Sequence, residues 1–506
     1  MRSNLLHTAA VAAISLAFLA STGPSRAGEG PKELAYQVVD RNADQMAKIG
    51  DSIYYFAELG MQEFESAKLL RDTLQAAGFT VELGGAGMPT NVWAKWGSGK
   101  PVIAIVTEVD ALQEGSQTPG EFEHKPLVEG APGHMEGHNT HGGVATTAAF
   151  AVKEAMTRYN IPGTVVVSFG PAEEQILSRP FLVRAGYFKD VDAAIILHIG
   201  DNSSTGYGLQ NYAAISSKFT FHGRTAHGAI NPWDGKDAVD AVELMDIGFD
   251  KLREHLRPTY RAHRTISMGG LQPNIIPDTG QIWWYVRDAN GPDAKATYDK
   301  LVKIAEGAAL MTGTTFDMEY VASAWPQLGN KAIAAAVQNN IDTIGLPQWT
   351  PDEVAFAKAF QHARQVKEVG LNTKPTPLGQ RPQSTSSNDN GDVTWNVPTG
   401  LMAFPASVPG ITYHHWAAAV TPISTIAHKG MVVGAKVLAA SVLDLMTSAE
   451  LRAQAQAQFE DDTKETKYFS LLPPDAKPPL DLNRATMEKY RPAMSKFYLN
   501  ATPRLQ

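Results

Sequence analysis

Two hydrophobic patterns alternate along the first part of the chain. Apolar residues three and four positions apart predict amphipathic helices at 31–60, 63–78 and 139–156. Short, near-continuous apolar runs predict buried strands at 79–83, 91–97, 101–110, 163–170 and 191–198. Such strands are buried on both faces when helices connect them. The pattern therefore predicts an α/β fold, with a mixed, mostly parallel sheet flanked by helices.

The pattern changes at about residue 213. Elements then follow in the order strand–helix–strand–strand–helix–strand, which predicts a smaller α+β (ferredoxin-like) domain. The α/β pattern resumes near residue 329, so this domain is inserted into the first. The predicted limits are 28–212 and 327–450 for the α/β domain, 213–326 for the inserted domain, and 451–506 for a C-terminal extension along the surface.

The first 27 residues have the composition of a secretory signal peptide. Arg2 precedes the apolar run AAVAAISLAFLAS, and Ser25-Arg26-Ala27 is similar to a signal-peptidase site. This run is shorter than the ~20 residues that span a bilayer, which favours a cleaved signal over a membrane anchor. We therefore expect an exported, periplasmic protein, and no later apolar run long enough to cross a membrane.

Composition narrows the chemistry. The 506 residues contain no cysteine, so any metal site must use histidines and carboxylates. The net charge of −8, without a cluster of lysine and arginine, argues against nucleic acid as a partner.

Candidate ligands stand where predicted strands end. They are Glu108 and Asp110 after one strand, Glu173 and Glu174 after another, His198 at the end of a third, and Glu136 and His138 just before a predicted helix. Each group alone is also typical of a solvated loop. The carboxyl ends of parallel strands meet at one edge of a sheet, however, so together they predict a metal site. Histidine and carboxylate ligands suit Zn²⁺ or Mn²⁺, and of two adjacent glutamates one can bind metal while the other accepts a proton from water.

Short segments between about residues 40 and 445 carry a resemblance to a known family. They include TEVDAL, GHMEGHNTHG, GPAEEQ, VRAGYFKDVDAAIILH, GRTAHG, GGLQPNIIPD, WWYVRD, SSNDNGDVTW and PGITYHHW, in that order. The chain resembles the aminoacylase/carboxypeptidase-type metallopeptidases with co-catalytic metals. Within them it is most similar to the p-aminobenzoyl-glutamate hydrolase branch.

The resemblance implies a role for each matching position. Glu173 is the expected general base, and His227 of the inserted domain is expected to reach the scissile carbonyl. Asn274 and Arg287 are expected to hold the free carboxylate of the substrate, for which the arginine fork is suited. The expected metal ligands are Glu136, His138, Glu174, His198 and one histidine of the HHW segment, where spacing favours His414 over His415.

One position departs from the family. Glu136 stands where this branch usually has cysteine, two residues before the first ligand histidine. A carboxylate can replace a thiolate as ligand or bridge, and the alternative is that Glu136 ligates nothing and the site is impaired. Asp110 is expected to orient a ligand histidine. His134 and His141 are expected either to orient ligands or to cap the helix. Asp392 is either an outer partner of the site or a turn residue.

The resemblance implies an amidohydrolase that uses two divalent metal ions. Zinc is the expected metal, and manganese is the alternative. Its substrate would be a small N-acyl or N-aroyl amino acid. An exopeptidase acting on dipeptides and a non-catalytic exported binding protein are the alternatives. In the family the inserted domain pairs two chains, so we expect a homodimer in which His227 acts across the interface. A monomer that closes this domain as a lid over its own site is the alternative.

Overall fold

The computed structural model describes residues 30–380 and 382–506, so the expected signal peptide lies outside the described residues. The helices are α1 (Pro31–Arg41), α2 (Ala43–Phe56), α3 (Phe64–Ala76), α4 (Asn139–Tyr159), α5 (Ser178–Arg184), α6 (Ala238–Leu252), α7 (Gly291–Thr312), α8 (Lys331–Ile344), α9 (Pro351–Ala363), α10 (Gly391–Thr394), α11 (Thr425–Thr447), α12 (Ala449–Asp462) and α13 (Arg484–Met494). The strands are β1 (Thr80–Leu83), β2 (Val92–Ser98), β3 (Val102–Thr107), β4 (Gly163–Phe169), β5 (Ala193–Gly200), β6 (Ser204–Leu209), β7 (Ala213–His222), β8 (Arg261–Met268), β9 (Thr279–Asp288), β10 (Thr315–Ala324), β11 (Leu328–Gly329), β12 (Gly379–Gln380) and β13 (Thr399–Pro405).

The large sheet has the strand order β1-β2-β4-β3-β5-β13-β6-β11, with β12 paired to β6. Its centre, β4-β3-β5-β13, is parallel, and antiparallel strands flank it. The strands β3, β4 and β5 are almost entirely buried and rich in Val, Ile and Ala, as a sheet covered on both faces requires. The predicted mixed, mostly parallel α/β fold is therefore confirmed.

Helices cover both faces of this sheet. On one face α1, α2, α4 and α11 form the largest apolar core with the strands, and α5 packs on the other face. By length and composition alone, α11 resembles a membrane span, contrary to the expectation from the sequence. However, 78% of its apolar window is buried inside the fold, so it is placed as a core helix.

Residues 213–324 form a second sheet with the order β10-β7-β9-β8, and α6 and α7 pack on one face of it. All four strands are antiparallel to their neighbours. Strand β8 lies at the edge, and most of its side chains are exposed. Whether this unit acts as a lid or as a dimerisation domain stays a prediction.

The structure differs from the sequence patterns in two segments. The predicted helix at 31–60 is two helices, because the chain turns at Asn42, whose side-chain amide donates to the Val38 carbonyl and to the distant Gln506 carbonyl. The C-terminal extension contains α12 and α13. Its side chains Asn483 and Arg491 donate hydrogen bonds to the carbonyls of Gly60 and Gln62.

Candidate metal centre

Five candidate ligands meet at the carboxyl edge of the large sheet. Glu136 and His138 precede α4, Glu174 follows β4, His198 lies in β5, and His414 follows β13. The parallel strands deliver these groups to one place although the chain positions are far apart, as the rule for open α/β sheets states. Among the described residues, two overlapping groups drawn from these five have potential ligand atoms within 4.8 Å of one another, namely Glu136, His138 and His198, and Glu136, Glu174 and His414.

The distances show how closely the donors face each other. His138 Nε2 lies 3.3 Å from His198 Nε2, and His198 Nε2 lies 3.4 Å from Glu136 Oε1. His414 Nε2 lies 2.6 Å from Glu136 Oε2 and 3.3 Å from Glu174 Oε2. Histidine nitrogens that converge on carboxylates, and on each other, form a donor set that divalent cations satisfy. The residues present therefore fit a metal centre.

The histidine rings are turned by partners behind them. His198 Nδ1 donates to the Ile199 carbonyl at 2.8 Å, which leaves Nε2 as a lone pair facing the other donors. His138 Nδ1 lies 3.5 Å from Asp110 Oδ1, and Asp110 Oδ2 accepts from the Glu174 amide at 3.0 Å. Such carboxylate–histidine pairs fix the ring orientation of metal ligands. The role of Asp110 in orienting a ligand histidine stays a prediction, which this placement supports.

Glu136 lies in the middle of the donor set. Burial would raise its pKa, but the hydrogen bond with His414 and the charges of His198 and His138 lower the pKa of Glu136 to about 2. The chain reaches this position through Gly137, which has φ +77°, and a Cβ there would come within 2.6 Å of the Ile199 side chain. An ionised carboxylate thus occupies the place where a thiolate is usual in the resembled branch.

Glu173 and Glu174 lie on a strained turn. A short 3₁₀ helix at Glu173–Gln175 is flanked by Ala172 at φ +58° and Ile176 at φ +60°. Left-handed backbone is uncommon for residues other than glycine, and is a true outlier for a β-branched one. Burial, and after it the charges of Glu108 and Glu174, raise the pKa of Glu173 well above its usual range. His414 is a further non-glycine residue with positive φ, at +57°, so backbone strain recurs around the centre.

A buried charged network lies behind the ligands; the sequence pointed to its members Glu108 and His141 but not to Arg179 or Asp389. His141 Nε2 accepts from the Ile199 amide at 2.9 Å, and its Nδ1 lies 3.3 Å from Glu108 Oε1. Arg179 Nη2 donates to Glu108 Oε2 at 2.6 Å, and its Nη1 lies 3.3 Å from Asp389 Oδ1. Arg179 is fully buried, so its charge needs these carboxylates. Through His141 the network holds the backbone next to His198.

Three other candidate residues lie outside the donor set. His134 Nε2 donates to the Ile53 carbonyl, and His415 Nδ1 accepts from the Ala417 amide at the start of a 3₁₀ turn, so it is His414 that faces the other donors. Asp392 accepts hydrogen bonds from the Trp325 amide and the Tyr468 hydroxyl, at the base of the inserted domain. It is placed as a support of this junction rather than as a partner of the ligands.

A cavity of about 510 Å³ opens beside the centre, with Glu136 and His198 in its wall. Uncharged polar residues make up about half of the rest of the lining, among them Gln210, Gln327, Asn388, Asn390, Thr205 and Tyr413. A small polar molecule bound there would reach the candidate metal site directly.

The inserted-domain residues do not join this cluster within one chain. His227 and Asn274 are exposed and adjacent to each other, since the Gly228 amide donates to the Asn274 carbonyl at 2.9 Å. Within the described part of the chain, His227 belongs to no group of histidines and carboxylates that could hold a metal. Arg287 lies closer to the cavity, because its Nη1 is 3.3 Å from Ser387 Oγ, next to the cavity residue Asn388.

Comparisons with known proteins agree with this arrangement. Residues 104–407 match the model of peptidase family M20/M25/M40. One of the subunits of p-aminobenzoyl-glutamate hydrolase from Escherichia coli (strain K12) is 32% identical over 467 residues, which cover 87% of this chain and 97% of that protein. The Xaa-Arg dipeptidase of Mus musculus is 27% identical over 64% of this chain and 74% of its own.

The fold also resembles solved structures. A dinuclear metal-binding peptidase of the M20 family from Bacillus subtilis aligns with a TM-score of 0.52 and 18% identity, over 80% of this chain and 99% of that one. The family match covers more than half of the chain, so the enzyme class follows from it: a metal-dependent hydrolase of linear amides. This chain belongs to peptidase family M20/M25/M40.

Proposed function

We propose that the protein hydrolyses the amide bond between an aroyl or acyl group and an amino acid with a free carboxylate, as in p-aminobenzoyl-glutamate. The observation that carries the proposal is the convergence of Glu136, His138, Glu174, His198 and His414 at one sheet edge, beside Glu173 and an open polar cavity. The name of the relative that is 32% identical over most of both chains supports the choice of substrate class.

The donor set supports two divalent ions rather than one. Three histidines and two glutamates would supply five ligands, and Glu136 lies close to both His198 and His414. The absence of thiolate ligands favours Zn²⁺ or Mn²⁺ with oxygen-rich coordination. Ions held there supply charge that polarises the scissile carbonyl and lowers the pKa of an attacking water.

Glu173 is the proposed general base. It is buried beside Glu174 and His138, and it belongs with them to one group of possible ligand atoms. A carboxylate in this position can take a proton from water and then give it to the leaving amine. With Glu173 as the base, Glu174 would act as the metal ligand.

His227 and Arg287 are proposed to complete the site from the inserted domain. His227 Nδ1 accepts from the Ala229 and Ile230 amides, at 3.1 and 3.2 Å, so the ring proton is on Nε2 and can be donated to a carbonyl oxygen. Arg287 lies near the cavity with a half-buried guanidinium, a position from which its fork can pair with a carboxylate.

We propose a homodimer that brings His227 to the centre of the partner subunit. His227 and Asn274 are surrounded by exposed apolar side chains, namely Ile230, Trp233, Leu271 and Ile275. The exposed edge strand β8 adds unpaired backbone groups to the same domain. Apolar surface of this kind is usually covered by another protein surface.

A dipeptidase is the second candidate. The observation that favours it is the name of the mouse relative, which acts on Xaa-Arg dipeptides. The two candidates share the metal centre and differ in the group on the amino side of the scissile amide.

A substrate panel separates them. Purified protein with Zn²⁺ or Mn²⁺ would be given p-aminobenzoyl-glutamate, N-acetyl amino acids and Xaa-Arg dipeptides, and the released amino acid would be quantified. We expect the highest kcat/KM for the aroyl or acyl amino acids. A higher kcat/KM for dipeptides would replace the proposal by the second candidate, and no cleavage with either metal would contradict both.

Export is proposed on the sequence of residues 1–27 alone. Expression of the full chain in a Gram-negative host, followed by fractionation and intact-mass measurement, is expected to give periplasmic protein that begins after Ala27. Uncleaved protein in the cytoplasmic fraction would contradict this.

A further inference from the structure

The turn that carries Glu173 and Glu174 does not hold its conformation by itself. Ala172 and Ile176 on either side of it have φ values of +58° and +60°, a region that L residues avoid. Such backbone persists only when the surrounding structure determines it. The residues that contact this turn from outside therefore decide where the two glutamates point.

Glu63 makes the contact at the Ala172 end of the turn. Its Oε1 accepts from the Ala172 amide at 2.9 Å, and its Oε2 accepts from the Thr90 hydroxyl at 2.7 Å. Glu63 is 1% exposed and lies just before α3, remote in sequence from the turn. Close packing adds to this contact, because a Cβ on Gly60 would lie 2.1 Å from Gln175 Oε1 and 2.6 Å from the Ala172 Cα. The segment 57–63, which we name the support loop, thus lies directly against the turn.

The C-terminal extension holds the support loop from the other side. Asn483 Nδ2 donates to the Gly60 carbonyl at 2.9 Å and lies 3.4 Å from Gln175 Oε1. Arg491 Nη2 donates to the Gln62 carbonyl at 2.7 Å. A continuous set of contacts therefore runs from the extension through the support loop to the turn.

We propose that Glu63 is a positioning residue for Glu173 and Glu174, and that Asn483 completes this support from the C-terminal extension. The carboxylate acts as a hydrogen-bond acceptor that fixes the Ala172 amide. Its effect on catalysis rests on the proposed function, in which Glu173 is the base. Its effect on the turn does not.

The test compares Glu63→Ala, Glu63→Gln and Thr90→Val. Glutamine keeps an acceptor for the Ala172 amide and can donate its side-chain amide to the Thr90 hydroxyl oxygen, whereas alanine offers neither contact. Thr90→Val removes the other partner of Glu63 and leaves the Ala172 contact intact, so it is the matched control. The readouts are kcat, KM, bound metal, and hydrogen–deuterium exchange of the peptide that contains Ala172.

We expect Glu63→Ala to lower kcat by about 10–100-fold, with little change in KM. This is the range for residues that hold the groups of a metal site from outside. It should also speed exchange at residues 172–176. Glu63→Gln and Thr90→Val should keep kcat within about threefold and leave that exchange slow. Unchanged exchange and kcat in Glu63→Ala would overturn the proposal. It would also be overturned if either Glu63→Gln or Thr90→Val were as impaired as Glu63→Ala.

Asn483→Ala keeps the proposal testable if Glu63→Ala does not fold. Its control is Arg184→Ala, which removes hydrogen bonds to the same extension at Pro473 and Ala476, away from the turn. Faster exchange at 172–176 in Asn483→Ala alone is expected, and equal exchange in the two variants would overturn the proposal. If wild type cleaves no amide while exchange responds as expected, the proposed function fails and the support of the turn stands.

Discussion

The metal centre and the His227 loop are built in opposite ways. The donors of the centre meet at one edge of the large sheet, are buried or partly buried except for His414, and lie 2.6–3.7 Å from one another. His227 and Asn274 lie on an exposed loop among exposed apolar side chains. One half is therefore assembled within a single α/β domain, whereas the other is proposed to act together with a second surface. It follows that substitutions can disrupt either half while the other stays intact.

The largest effect is expected at the buried half. Glu173→Gln should lower kcat by ~10²–10⁴, because the attacking water loses its base. Metal content should not change, since Glu174 and the histidines remain. Steady-state kinetics and elemental analysis of the same sample check this, and near wild-type turnover would remove Glu173 as the base.

His227→Ala disrupts the exposed half. We expect kcat to fall by ~10²–10³ on loss of a donor to the carbonyl oxygen, with bound metal unchanged. Mixing His227→Ala chains with Glu173→Gln chains under conditions of chain exchange should restore activity, because a mixed dimer then contains one site with neither defect. Confirmed mixed dimers without activity would contradict action across the interface and favour closure within one chain.

Glu136 tests whether the buried half depends on its unusual ligand. Glu136→Ala should weaken metal binding by more than the ~10–100-fold that loss of an outer partner costs. Glu136→Cys should retain metal and shift preference toward zinc, since thiolate is the softer ligand. Isothermal titration with Zn²⁺ and Mn²⁺ measures both, and unchanged affinity in the alanine variant would mean that Glu136 is not a ligand.

Arg287 lies between the two halves, near the cavity rim. Arg287→Lys should cost about 1.5–3 kcal/mol in kcat/KM for substrates with a free carboxylate, since a bidentate charged contact is lost. The corresponding substrate amides should lose much less. Equal losses for acid and amide would place Arg287 outside the carboxylate pocket.

The smallest effect is expected at Asp392, which lies where the inserted domain joins the α/β domain. Burial raises the pKa of Asp392 to about 7, against ~3.9 in an unfolded chain. Between these values the folded state holds a proton that the unfolded state has released, so this group lowers the free energy of unfolding as pH rises from about 4 to 7. The stability of Asp392→Asn relative to wild type should therefore be greater at pH 8 than at pH 5, by at least ~1 kcal/mol for a fully buried group. Denaturant unfolding at both pH values measures it, and an equal difference at both would contradict the assignment.

The sequence predicted the buried half better than its supports. Val- and Ile-rich strands ending in Glu173, Glu174 and His198 indicated both the fold and the approximate site, because local apolar patterns specify buried parallel strands. Arg179 was missed, since an arginine in SRPFLVR has the same local pattern whether it is buried or exposed, and its partner Asp389 is distant in sequence. The break at Asn42 was missed for a similar reason, because it depends on the carbonyl of Gln506.

The inserted domain shows the same limit in another form. Its order of strands and helices follows from hydrophobic periodicity, and the structure contains those elements. The position of His227 relative to a substrate depends on domain closure or on a second chain, which no local pattern records. Its role consequently stays a prediction.

Metal dependence of amide cleavage is the core of the proposal, and a metal add-back titration measures it. Protein stripped by chelation would be titrated with Zn²⁺ or Mn²⁺ while amide cleavage and bound metal are measured in the same samples, with His138→Ala as the control. We predict no cleavage by stripped protein, a rise in rate that ends near two equivalents per chain, and no recovery in His138→Ala. Full activity in the stripped protein, or recovery in His138→Ala equal to that of wild type, would contradict it.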